Sequence, residues 1–116
     1  MKKHYESYRD FYFAICDAKT TKKMQKVIDS CENIDVTGNK YGFTALMCAV
    51  YSANRQVAKL LLENGANPEA KDIDGETVLL LAPQGEIKAM VLRAIVTKYW
   101  YEKRLARINK SRGLSK

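Results

Sequence analysis

The residues able to do chemistry are few and scattered. Three cysteines, Cys16, Cys31 and Cys48, and one histidine, His4, are the soft nucleophiles and metal ligands of the chain. A paired thiolate and imidazole would carry out acyl transfer, and a C-x-x-C pair would hold zinc or exchange disulfides, but neither is written here. The cysteines are odd in number and far apart, so they read as small buried hydrophobes in a reducing compartment. His4 lies in an N-terminal stretch expected to fray. Asp72, Asp74 and Glu76 resemble a calcium loop but fall short of its ligand count, and they coincide with a turn. Asn109-Lys110-Ser111 spells a glycosylation sequon, which a chain with free thiols and no expected leader would not use. The metalloprotease, nucleophile-elbow and phosphate-loop motifs are not found. No catalytic residue, metal, cofactor or small-molecule substrate is therefore assigned, and an enzyme is not expected.

Charge points instead to binding. The formal charge is +7 over 116 residues, with residues 1–40 at net +2, residues 41–85 at −2 and residues 86–116 at +7. A near-neutral body thus carries a basic C-terminal quarter, which calls for an acidic partner such as RNA, an anionic membrane surface or an acidic protein. No apolar run approaches the ~18 residues that span a bilayer. The basic start, Met1-Lys2-Lys3, runs into Glu6, Arg9 and Asp10 rather than an apolar signal core. An intracellular, cytoplasmic protein is expected.

The elements that must position any binding residues come from an internal repeat. Asn39-Lys40-Tyr41-Gly42-Phe43-Thr44-Ala45-Leu46 aligns with Asp72-Ile73-Asp74-Gly75-Glu76-Thr77-Val78-Leu79. Gly42 and Gly75, Thr44 and Thr77, Leu46 and Leu79, and Ala49 and Ala82 recur at one spacing of 33 residues. Each block is a polar turn with Gly, then Thr as a helix N-cap, then a short apolar helix. Val57, Leu60 and Leu61 follow at helical spacing, and Gly65 predicts a left-handed stop before Pro68.

These blocks, with Leu60-Leu61-Leu62-Glu63-Asn64-Gly65-Ala66-Asn67, resemble the ankyrin repeat family. The resemblance implies an all-α solenoid of helix-turn-helix units. It divides residues 1–97 into a degenerate cap at about 6–38 and repeats at 39–71 and 72–97, leaving 98–116 as a basic helical extension and tail. In the cap, Tyr8, Phe11, Tyr12 and Ile15 recur at helical spacing without the Gly and Thr of the turn. Thr20 or Thr21 caps a second helix bearing Met24, Val27, Ile28 and Cys31 on one face. Pro83 predicts an early end to the first helix of the third repeat. Its second helix is expected over residues 86–109, with Ile87, Met90, Val91, Ala94, Ile95, Tyr101, Leu105 and Ile108 on one stripe.

The family's turn Pro and His are replaced by Ala45 and Met47, then by Val78 and Leu80. Loss of the His hydrogen bonds, with only three repeats, predicts a marginal stack or one stabilised by docking. The resemblance also implies a protein-interaction module or adaptor that binds through its turn tips and concave face. Position by position, that face comprises Lys40, Tyr41 and Phe43, then Ile73, Asp74 and Glu76, with Tyr51 and Ser52 on the middle first helix and Tyr8 and Asp10 in the cap. The aromatics are either hot-spot residues or packing between adjacent turns.

The C-terminal helix is a second candidate. Trp100, Lys103, Arg104, Arg107 and Lys110 fall on one side, with Arg112 just beyond. Three readings stand: an RNA- or ribosome-associated helix within a ribonucleoprotein, with Arg and Lys on phosphates; an anchor docking into a protein assembly; or an apolar side that closes the stack under solvated charges.

Overall fold

The computed structural model describes residues 2–83 and 85–111. Among these residues the chain forms α1 (Tyr8–Asp17), α2 (Thr21–Ser30), α3 (Ala45–Tyr51), α4 (Arg55–Glu63), α5 (Val78–Leu81) and α6 (Glu86–Ser111). The helices form three successive pairs, and α3 lies between α1 and α5 while α4 packs against α6. This is the expected all-α solenoid.

Capping explains where the helices begin. The hydroxyls of Thr44 and Thr77 accept from the backbone N–H of Met47 and Leu80, at 3.2 and 3.3 Å. Thr20, not Thr21, caps α2 through Lys23 N–H at 3.2 Å. The cap repeat uses Ser7, which accepts from Asp10 N–H at 3.3 Å. Ser7 thus does the work that Thr does in the later repeats. Asn54 caps α4 at Val57 N–H. At the far end of α4, Gly65 adopts φ +93°. Ala66 N–H then donates to Leu61 C=O at 2.9 Å and Gly65 N–H to Leu62 C=O at 3.2 Å, the paired bonds that close a helix on a left-handed glycine.

The core is the seam between the pairs. Phe11, Ile15, Leu46, Met47, Val50, Val57, Leu61, Val78 and Val91 are its fully buried large side chains. The expected face of α2 is present: Met24, Ile28 and Cys31 are buried, and Val27 is partly buried against the same core. In place of the missing turn His, other groups tie the repeats. Asn54 Nδ2 donates to Tyr12 Oη at 3.1 Å, Gln25 and Asn64 exchange side-chain bonds at 2.7 and 3.1 Å, and Asn67 N–H donates to Asp35 at 2.9 Å.

Three expectations are corrected. The N-terminal stretch is pinned rather than frayed: Lys3 pairs with Cys31 as an isolated bridge, Tyr5 packs on Phe11 at 5.2 Å, and His4 stands 3.8 Å from Glu32. Of the three cysteines only Cys31 is buried, while Cys16 and Cys48 are partly exposed. Asn54 Nδ2 donates to Cys16 Sγ at 3.8 Å. Finally, the apolar stripe of α6 does not close the stack along its whole length. Ile87 and Val91 are buried, but Tyr101, Leu105 and Ile108 are exposed. The reason is length, since α4 has 9 residues and α6 has 26. Among the described residues, Lys98 is the last of α6 with a side-chain bond to the rest of the chain, reaching Asn67 at 3.3 Å and Glu69 at 3.5 Å.

Candidate protein-docking surface

The turn tips are rigid for a chemical reason that repeats with the sequence. Asn39 Oδ1 accepts from Tyr41 and Phe43 N–H at 2.8 and 3.5 Å. Asp72 Oδ1 accepts from Asp74 and Glu76 N–H, both at 2.9 Å. A short polar side chain thus holds each turn from within, which gives the acid at position 72 a structural task. Gly42 and Gly75 follow at φ +70° and +79°. The two tips are joined by Ile73 N–H to Tyr41 C=O at 2.8 Å.

The structure sorts the candidate aromatics into two kinds. Tyr8 and Phe43 face each other edge-on at 5.4 Å and are both half-buried, so they form the joint between the cap and the middle turn. Tyr41 and Tyr51 are exposed, as are Ile73, Asp10, Ser52, Lys40, Asp74 and Glu76. Lys40 Nζ lies 5.2 Å from the Tyr41 ring, close enough for cation–π attraction. The middle tip is therefore cationic and aromatic, and the third tip is anionic around Ile73.

Four titratable groups of the body are shifted by loss of hydration. Loss of hydration pushes the Tyr12 hydroxyl up, against the opposing bond from Asn54. The same loss pushes up the Cys48 and Cys31 thiols and the Tyr5 hydroxyl. A thiol with a raised pKa is a poorer nucleophile.

The basic helix presents its candidates to solvent. Trp100, Lys103, Arg104, Arg107 and Lys110 are exposed. Tyr99 and Trp100 meet edge-on at 5.8 Å, and Lys103 Nζ stands 5.5 Å from the Tyr99 ring. Arg112 lies outside the described residues. Among the described residues no helix is long and apolar enough to cross a membrane.

One surface escaped the sequence reading. A groove of about 930 Å³ runs between α4 and α6, with Leu62, Ala66, Pro68 and Met90 among its apolar lining and Lys59 and Arg93 among its charges. Arg55 and Glu86 form a 2.7 Å ion pair across it. Its residues come from α4 and the loop after it and from α6, about 30 positions on, and no local pattern marks that meeting.

Comparison with known proteins agrees with this geometry. Residues 41–73 match the ankyrin repeat family. Potassium channel AKT3 of Oryza sativa subsp. japonica is 44% identical over 66 residues, which cover 57% of this chain and 7% of the channel. The match therefore spans less than a tenth of that relative's length.

Proposed function

We propose that this chain, which matches the ankyrin repeat family over residues 41–73, is a non-enzymatic adaptor that holds a partner protein across its turn tips and first helices. The observation that carries this reading is the exposure of Tyr41, Tyr51 and Ile73 on a framework braced by Asn39 and Asp72. An aromatic already held by its backbone loses little entropy on binding and contributes large contact area. Lys40 at one tip and Asp74 with Glu76 at the next require a partner whose charge changes sign along the row.

Affinity purification of the full chain tests the proposal, with mass spectrometry of what is retained. Retention of the same proteins after nuclease and at about 0.5 M salt supports a protein partner, because phosphate contacts would be lost steeply with salt. Tyr41→Ala with Tyr51→Ala should release the partner without lowering the melting temperature. Release by nuclease alone contradicts the proposal and favours RNA on the basic helix.

A further inference from the structure

The two well-matched repeats show the same face in two states. Met47 and Leu80 stand at the same place after their capping threonines. Met47 is 0% exposed and Leu80 is 70% exposed. Each helix has a preceding neighbour, α1 for α3 and α3 for α5. Among the described residues, only the middle repeat also has a following one. The following repeat packs on α3, and among the described residues no further repeat packs on α5, where Leu80 is exposed.

The second helices tell the same story. Val57 and Leu61 of α4 match Ile87 and Val91 of α6 in burial, which sets Ala58 against Lys88 and Leu62 against Leu92. Ala58 is fully buried and Leu62 partly so, whereas Leu92 is 48% exposed. Val96, 47% exposed, and Tyr99 prolong this stripe at helical spacing.

We propose that this open end, made of Leu80, Leu92, Val96 and Tyr99 with Lys88 and Lys103 at its rim, docks an amphipathic helix of a partner protein that carries carboxylates beside its apolar stripe. The shape follows from the chain itself, which covers the equivalent inner face with helices. The charge follows from Lys88 and Lys103, which lie on the same side of α6 as the stripe, whereas Lys98 is held by Glu69 and Arg93 lines the groove toward α4. A second copy is a poor occupant. Two such ends would bring like charges together, and α2 in the first repeat exposes Lys22, Lys23 and Lys26. This surface is separate from the turn tips, so it stands or falls independently of them.

The test uses the full chain and two labelled synthetic helices with one Leu stripe, flanked by Glu in the first and by Lys in the second. Fluorescence anisotropy should show saturable binding of the Glu helix and at least about tenfold weaker binding of the Lys helix. Leu92→Asp with Val96→Asp should abolish binding at an unchanged melting temperature, while Tyr41→Ala leaves it intact. Lys88→Glu with Lys103→Glu should reverse the preference between the peptides, which a merely structural role would not do. Equal binding of both helices, no binding of the Glu helix, binding that survives Leu92→Asp with Val96→Asp, or an unreversed preference would each overturn the proposal. So would binding of a single-stranded RNA in place of either helix, or a concentration-dependent dimer that Leu92→Asp dissolves.

Discussion

The middle repeat and the last repeat share a turn, a capping threonine and an apolar first helix, yet their surfaces differ. In the middle repeat Ala45, Leu46, Met47, Ala49 and Val50 are all buried. In the last, α5 shrinks to Val78–Leu81, of which only Val78 is buried. The local sequence is apolar in both. Burial is decided by the neighbour that stacks on each helix, so a residue of the same type is core in one repeat and surface in the other.

The sharpest way to break this contrast is at the glycines. Gly38 adopts φ +60°, and a Cβ there would stand 1.7 Å from the Glu6 carbonyl oxygen, where Tyr8 N–H donates to Thr37 C=O. Gly38→Ala must push two backbones apart and should cost about 3 kcal/mol or more in denaturant unfolding. Gly75, at φ +79° with nothing within 4 Å, carries only the strain of its own conformation. Gly75→Ala should cost about 1 kcal/mol. Equal losses would mean that the cap joint is looser than described.

Next in size is the equivalent pair itself. Met47→Ala should cost about 2–5 kcal/mol, because it opens a cavity in a closed seam. Leu80→Ala should stay within about 0.5 kcal/mol. Tyr8→Ala should cost about 1 kcal/mol through loss of the Phe43 contact, and Tyr41→Ala close to nothing. A fall in melting temperature for Tyr41→Ala matching that of Tyr8→Ala would make both tips packing.

The smallest effect is that of pH. Tyr5, Tyr12, Cys31 and Cys48 all have raised pKa values, chiefly through burial. The unfolded chain therefore gives up these protons first. Their contribution is fully present below the ordinary Cys and Tyr range and is lost as pH climbs through it, from about pH 9 upward. Denaturation midpoints at pH 7 and pH 10 should show this decline, and a midpoint that rises would contradict the assigned burial.

Much of the framework was legible because it rests on local chemistry. Thr44 and Thr77 announce their helices, Gly65 announces a stop, and the unbroken apolar and basic pattern announces α6. The cap was harder to read. Ser7 stands where the turn signature is lost, and its role shows only once α1 is seen to begin at Tyr8. The pairing of Tyr8 with Phe43 joins residues 35 positions apart in the chain, and no periodicity relates them. Pinning of Lys3 beside Cys31 is likewise a long-range backbone match. The exposure of Leu80 is the most instructive case, because the helical pattern places it correctly while its environment depends on what stacks beyond it.

Amide hydrogen exchange on the full chain would show whether stacking from both sides makes the middle repeat the core and leaves the end of α6 uncovered. Exchange should be slowest in α3 and α4, slow in α6 up to Lys98, and fast beyond Tyr101. Uniform protection along α6 as far as Ser111, or faster exchange in α3 and α4 than in α6, would contradict it.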